Sequence, residues 1–342
     1  MMCLRRVLII GAGLSGCTAA SKLADNGIEV LLVEKADEIG GRVRQYGCKA
    51  VTDKCENCGV CLACGLWDKI LRNQNIRVFT SSEVKNVTGV PGDFSAAIKI
   101  ANTVKYFDKI EAVVVSNGFE SKTNGLSAHL HVEGDAGLIT GSELEKMLLS
   151  RTRSKLFERA PKKVAFIQCF GSRDEKESGL YCSRVCCSYS TRAAKVLRSY
   201  YPECEIAFFY MELQSVKSGN YFAELREQEI EFIKCRPLKI TGGKPATVEY
   251  DDPVEGISVR DFDLVILSEG IHAGVDNEQL SQSCGLEQNE HGFLCTIGSS
   301  PGVYVCGCAR TPLKVEEAYA DSVAVAGEIL ASNPKVGGTC HE

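Results

Sequence analysis

Residues Val7-Leu8-Ile9-Ile10 form a short unbroken apolar run, followed at once by Gly11-Ala12-Gly13-Leu14-Ser15-Gly16 and a helical pattern from Leu14 to Asp25. A second run, Glu29 to Val33, ends in Glu34, eighteen residues past Gly16. Few patterns constrain a fold more tightly. A short apolar run bounded by turn residues reads as a buried strand, and strand, glycines, helix, strand and acid in this order spell a dinucleotide-binding βαβ unit. Gly11 permits the tight turn, Gly13 lets backbone approach a pyrophosphate at the helix N-terminus beside Leu14 and Ser15, and Gly16 allows close helix–strand packing. Glu34 is placed to accept hydrogen bonds from a ribose. A purely structural glycine turn is the competing reading, and it leaves the acid and the spacing unexplained.

The chain is long enough, at 342 residues, for two domains. Its 44% hydrophobic and 7% aromatic content suits an α/β protein, and a net charge of −5 offers no basic surface for nucleic acid. Eighteen cysteines without a visible signal peptide argue for metal or redox chemistry in a cytoplasmic protein rather than a disulfide framework. No apolar segment reaches the roughly eighteen residues of a membrane helix, so no membrane insertion is expected.

Four of the cysteines stand out. Gln168-Cys169-Phe170-Gly171-Ser172-Arg173-Asp174 ends an apolar run that reads as a strand from Val164, and Tyr181-Cys182-Ser183-Arg184-Val185-Cys186-Cys187 leads into a helix expected from about Ser183 to Ser199. This layout can bring Cys169, Cys182, Cys186 and Cys187 round one point, as a [4Fe-4S] cluster requires. Zinc in a four-thiolate site and ordinary buried cysteines are the competitors. Adjacent Cys186 and Cys187 fit poorly with the spaced pairs zinc usually takes.

Elsewhere, Glu34-Lys35 is followed by Gly40-Gly41-Arg42, a doublet that resembles the one in two-dinucleotide-binding flavoproteins. That resemblance implies FAD rather than NAD, with Gly40, Gly41 and Arg42 at the far side of the pyrophosphate. Glutathione-reductase relatives carry a CxxxxC just after the doublet, which Val43 to Cys48 lacks. A denser run, Cys55-x-x-Cys58-x-x-Cys61-x-x-Cys64, admits a second cluster, a zinc knot, a CxxC thiol pair or unligated cysteines. Ile76 to Thr80, Ser95 to Ala101 and Val104 to Asp108 read as strands of a meander with a turn at Val90 to Asp93, and Val84 lies among the expected cofactor contacts. Ala112 to Gly118 returns to the sheet, its end at Asn117 and Gly118 small enough for backbone to meet the cofactor.

A second domain is expected over 119–262, with residues 1–118 and 263–342 forming the first. Ser142-Glu143-Leu144-Glu145 reads as a capping box for a helix to about Ser154. Lys163 to Gln168 occupies the place of the second GxGxxG, the nicotinamide site of reductases in this superfamily, and cysteines replace its glycines. Glu205 to Cys235 alternates strand and helix, Thr247 to Val259 reads as a hairpin leading back to the first domain, and Leu264 to Gly270 is again a buried strand. Gly302 to Ala309 leads to a helix from Val315 to about Leu330. Cys308 stands where such flavoproteins carry an acid, Gly307 approaches the pyrophosphate, and the helix N-terminus at Val315 stabilises anionic reduced flavin by roughly 0.3–1 kcal/mol. The five histidines, His129, His131, His272, His291 and His341, are scattered, and surface or packing roles suit them.

Together, Gly11 to Gly16, Gly40-Gly41-Arg42, the turn at Cys169 and above all Tyr181-Cys182-Ser183-Arg184-Val185-Cys186-Cys187 resemble the A subunit of heterodisulfide reductase and its short relatives in sulfur metabolism. The resemblance implies two Rossmann-like domains of thioredoxin-reductase type, FAD, and one [4Fe-4S] cluster on Cys169, Cys182, Cys186 and Cys187, with this chain expected to be the core alone. It further implies a homodimer within a larger complex, whose other subunits hold the thiol or disulfide chemistry while this oxidoreductase subunit passes electrons between two-electron flavin chemistry and one-electron flow. Two other functions stay open: a self-contained disulfide reductase using Cys58 and Cys61 or Cys182 and Cys186, and a metal-bound scaffold.

Overall fold

A computed structural model describes residues 5–51, 54–121, 132–134, 136–150, 156–173, 179–214, 221–296 and 302–332. Asp174, His129, His131 and His341 lie outside the described residues. The chain runs β1 (Arg6–Ile10), α1 (Leu14–Ala24), β2 (Glu29–Val33), α2 (Leu66–Arg72), β3 (Ile76–Phe79), β4 (Ser82–Val90), β5 (Asp93–Ile100), β6 (Thr103–Ile110) and β7 (Ala112–Val115). It continues through β8 (Val132–Glu133), β9 (Leu138–Thr140), α3 (Gly141–Ser150), β10 (Lys163–Phe170), α4 (Cys186–Tyr200), β11 (Glu205–Phe209), α5 (Tyr221–Glu227) and β12 (Ile230–Ile233). The remainder is β13 (Lys239–Thr241), β14 (Ala246–Asp252), β15 (Gly256–Phe262), β16 (Leu264–Glu269), α6 (Asn277–Cys284), β17 (Leu286–Gln288), β18 (Leu294–Thr296), β19 (Val303–Val305) and α7 (Val315–Ala331).

Two compact units result. The first comprises Met1–Arg44, Gly59–Glu120 and Ala273–Glu342, the second Gln45–Cys58 and Ser121–His272. In the first, five parallel strands run in the order β19-β7-β1-β2-β3. Strand alternation sorts the side chains of β1: Val7 and Ile9 join a core with α1 and α7, while Leu8 and Ile10 face the antiparallel β4-β5-β6 sheet. The second unit repeats the plan with β12-β11-β10-β16-β9, also parallel. Val164 and Phe166 of β10 meet α3 and α4, whereas Ala165 and Ile167 meet the β13-β14-β15 layer. Phe166 and Phe208 stack with ring centroids 4.6 Å apart, each such buried ring contributing about 1.5–3 kcal/mol.

Several sequence expectations need correcting. Ile76–Phe79 belongs to the parallel sheet, paired with β2, and the meander instead begins at β4, which carries Val84. The second unit is larger than 119–262: β16 sits between β10 and β9 in its sheet, so the β14–β15 hairpin stays within it, and Gln45–Cys58 joins it as well. The capping box lies two residues early, with Glu143 N–H on Thr140 Oγ1 at 3.1 Å and Thr140 N–H on Glu143 Oε2 at 2.7 Å. Finally, α4 starts at Cys186 rather than Ser183, so residues 183–185 remain loop.

Candidate functional site

In the first unit the fingerprint turn is held by its own backbone. Gly11 has φ +97°, its N–H donates to Val33 O at 2.8 Å, and a Cβ there would lie 2.5 Å from Ser116 O. At Gly16 a Cβ would fall 1.9 Å from Gly11 O, so only glycine lets α1 seat on the turn. Gly13, by contrast, caps α1 with no side chain, and a Cβ there would meet nothing within 4 Å. The first N–H groups of a helix lack intrahelical partners, so Leu14, Ser15 and Gly16 present open donors.

Around this turn the structure gathers much of what the sequence nominates. Gly40 N–H donates to Ala12 O at 2.7 Å, and a Cβ on Gly41 would come 3.0 Å from Gly13 Cα. Gly307 closes on Ser15, whose Oγ would be 2.1 Å from an added Cβ. Both Glu34 oxygens accept backbone N–H groups, from Ala12 at 2.7 Å and Ala36 at 2.9 Å. Asn117 donates to Asn277 Oδ1 at 2.8 Å, while its own Oδ1 is buried without a partner among the described residues. Next to it, Gly118 has open space where a Cβ would stand. A bare glycine edge, open helix donors and an orphaned amide oxygen are what a dinucleotide would complete.

Other nominated residues are engaged elsewhere. Arg42 donates to Phe119 O at 3.0 Å and Glu120 Oε2 at 2.6 Å and lies over the Phe119 ring, Lys35 pairs with Asp276, and Val84 is buried in β4. Burial pushes the Cys308 thiol up to about 11, so it is neutral and does not replace an acid. Asp321 on α7, which sequence reasoning did not single out, accepts Gly307 N–H on Oδ2 at 2.8 Å and also pairs with Arg310. Helical phase from Val315 would have turned it inward. The first turn of α7 also carries Glu316 and Glu317, Glu317 Oε2 accepting Lys314 N–H at 2.9 Å, and these carboxylates oppose the positive helix end.

In the second unit the corresponding turn is built from cysteine. Up to Ile167–Leu267 the strands β10 and β16 pair in register, and the next pair is Phe170–Glu269. One extra residue on β10 makes a bulge there, and Cys169 sits in it at φ +59°. The bulge returns Phe170 to the same core as Ile167 and turns Cys169 out of the alternation. Arg173 at φ +57° and Arg184 at φ +62° are strained likewise. Non-glycine residues held in this region cost of order 1–3 kcal/mol and cluster at functional sites.

The four thiols share one neighbourhood. Cys169, Cys186 and Cys187 are buried and Cys182 is half-buried. Hydrogen bonding to Cys186 lowers Cys169 and brings Cys187 down to about 7, while Cys186 itself is driven well up by serving both neighbours. Burial raises Cys182, with Arg184 N–H donating to its Sγ at 3.3 Å. The positive charge of Arg173 favours the thiolates of Cys169, Cys182 and Cys187. A buried clamp holds the loop: Ser172 and Ser183 hydroxyls lie 2.6 Å apart, Ile271 N–H donates to Ser183 Oγ at 2.9 Å, and Tyr181 OH donates to Ile271 O at 2.8 Å. Gly270 is obligatory beneath it, since a Cβ would meet Ser172 Oγ at 2.0 Å and Ser183 Oγ at 2.2 Å.

Behind the thiols, Gln168 Nε2 donates to Ser268 Oγ at 3.1 Å, which also meets Ser190 Oγ at 2.9 Å. Buried Arg192 on α4 donates to Glu56 O at 3.0 Å and Asn57 O at 3.2 Å, and buried Lys49 pairs with Glu145. Cys55 and Cys58 fall in the second unit, Cys61 and Cys64 in the first. Among the described residues no three His, Cys, Asp or Glu side chains close round a point as they would about a single ion. No helix of the described residues is long and apolar enough to cross a membrane.

Residues 9–58 match the model for an NAD(P)-binding Rossmann-like domain. Over 97% of its length the chain is 26% identical to the A subunit of the H(2):CoB-CoM heterodisulfide,ferredoxin reductase of Methanothermobacter thermautotrophicus, covering 64% of that protein. Over 94% it is 28% identical to the second iron-sulfur A subunit of the CoB–CoM heterodisulfide reductase of Methanopyrus kandleri, covering 63%. The chain is thus similar to heterodisulfide reductase A subunits over most of its length. Thioredoxin reductase of T. acidophilum superposes with a TM-score of 0.65 at 19% identity, covering 96% of this chain and 99% of that one. An NAD-dependent persulfide reductase of A. fulgidus gives 0.58 at 15%, with 95% and 58% coverage. The chain therefore has the thioredoxin-reductase fold, and it spans just under two thirds of the length of the curated relatives it matches.

Proposed function

We propose that the chain binds FAD in the first unit and one [4Fe-4S] cluster on Cys169, Cys182, Cys186 and Cys187 in the second, as an electron-transfer component of a heterodisulfide-reductase-like complex in thiol–disulfide metabolism. The observation that carries this reading is the bulge at the end of β10. A nucleotide-binding turn needs glycines there, and this chain instead strains three non-glycine residues to present thiols. When bound, flavin exchanges electrons singly or in pairs and the cluster carries one at a time.

The residues divide the remaining work. Gly13 and the open N–H groups of α1 receive the pyrophosphate, Glu34 the ribose, and Asn117 Oδ1 accepts a donor from the cofactor. Arg173 offsets the charge of the thiolates, and the Ser172–Ser183 clamp fixes their loop. Zinc would draw four sulfurs to about 2.3 Å of one ion, whereas a cubane would take one thiolate at each of four irons. Partners are the other subunits of the complex and a second copy of this chain in the cytoplasm. Iron, acid-labile sulfide and flavin per chain on anaerobically purified protein test this: about four irons with one FAD is expected, and bound zinc without sulfide overturns it.

A further inference from the structure

Cys61 and Cys64 take no part in either site. Val60–Ala63 forms one 3-10 turn, with Leu62 N–H on Gly59 O at 2.9 Å and Cys64 N–H on Cys61 O at 3.0 Å. In this geometry side chains at i and i+3 eclipse, and a rise near 2.0 Å per residue separates the two Cα atoms by about 6 Å. Disulfides bridge Cα atoms roughly 4.4–6.8 Å apart. Both cysteines are exposed.

The turn is a supported one. Ala63 is buried, and Leu66 and Trp67 just beyond pack on the α1 core. At Gly59 a Cβ would come 3.1 Å from Glu316 N, so the backbone lies directly on the start of α7. Left-handed glycines bracket it, Gly59 at φ +79° and Gly65 at φ +70°. A pair fixed this way loses little freedom on closing, which favours an internal disulfide over two separate adducts.

We propose that Cys61 and Cys64 form a reversible dithiol–disulfide pair that exchanges with small-molecule disulfides. The thiolate of one cysteine attacks a sulfur of R–S–S–R, forming a mixed disulfide and releasing RS⁻. The second cysteine, deprotonated, attacks the protein-side sulfur of that bond, forming Cys61–Cys64 and releasing a second RS⁻. The two protons lost by the cysteines are taken up by the two RS⁻. The pair is oxidised by two electrons and the disulfide is reduced to two thiols, with no flavin or iron required.

The test uses the full chain, reduced anaerobically, treated with oxidised glutathione, alkylated and digested, with the tryptic peptide 55–69 sequenced by mass spectrometry. In C55S/C58S the expected result is loss of two hydrogens between Cys61 and Cys64 with no glutathione retained, while exposed Cys48 keeps its adduct as an internal control. In C55S/C58S/C64S the expected result is glutathione retained on Cys61. Equal retention on Cys61 with and without Cys64 overturns the proposal. So does a metal ion in the wild-type chain that shields all four thiols of the peptide from alkylation, or free Cys61 and Cys64 beside a modified Cys48. Matching thermal melts of the variants exclude misfolding as the source.

Discussion

The turns after β1 and β10 leave the middle of two sheets of the same strand plan, and they solve opposite problems. After β1 the chain removes side chains, so that backbone alone faces outward: Gly11 and Gly16 sit where a Cβ would strike carbonyl oxygens, and Gly13 faces open space. After β10 it keeps side chains and strains the backbone to aim them, with Cys169 and Arg173 both at positive φ. The supporting layers differ too. Beneath the first turn lies an apolar core of Ala, Val, Leu and Ile. Beneath the second lie buried Gln168, Ser268 and Ser190, linked by hydrogen bonds. Removing side chains suits a ligand held by backbone dipoles, and aiming them suits one held by covalent ligation.

The largest effect should come from breaking one turn at a time. Cys169→Ser is expected to abolish iron binding while FAD stays near one per chain, and Gly11→Ala to abolish FAD while iron stays, both read by metal analysis and flavin absorbance on the same samples. Loss of both cofactors in either variant would erase the distinction between the turns. Next comes the polar support of the second unit. Lys49→Met removes the paired cation of buried Glu145, leaving it the Gly47 N–H and the more distant charge of Arg192, and should lower stability by up to about 3–5 kcal/mol, measured by urea denaturation.

That deficit should depend on pH with a definite sign. Burial already raises the Glu145 pKa and Lys49 opposes the rise, so removing Lys49 lifts it further. A group whose folded pKa is raised contributes stability below its unfolded value, near 4.3, and loses it as pH rises through the folded pKa. The variant should therefore lie closest to wild type at acid pH and furthest from it near neutrality. A deficit that is flat with pH would show that packing rather than charge sets the cost.

Smaller effects sharpen the contrast. Gly270→Ala pushes a methyl into the Ser172–Ser183 clamp and should cost about 1–3 kcal/mol, with lowered iron occupancy and an altered electron paramagnetic resonance spectrum of the reduced protein. Unchanged spectra would remove the clamp from the positioning of the thiols. Smallest, Glu34→Gln should weaken FAD binding by up to about tenfold, since one backbone N–H loses a charge-assisted partner worth about 1.5 kcal/mol, with iron untouched.

Both turns are legible in the sequence because each is written in consecutive residues. What escapes it depends on distant partners. Glu145 reads locally as part of a capping box, yet Lys49, 96 residues away, draws it into the interior and leaves Thr140 and Glu143 to cap α3. Two overlapping boxes look alike locally, and burial chooses between them. Similarly, Ile76–Phe79 and Leu264–Glu269 read correctly as strands, but their sheets are decided by β2 and β10, which no local pattern names. Arg42 and Lys35 likewise pair with Glu120 and Asp276, which no local pattern names.

The bulge at Cys169 also bears on how the strand carries its cysteine. Pairing between β10 and β16 is regular before it and resumes after it, so the cysteine is an added count in a strand already complete without it. Shortening the strand by that one residue would restore plain alternation rather than tear the sheet. The register of the sheet therefore does not rest on the bulged residue, and the strain falls on the one position that presents a thiol.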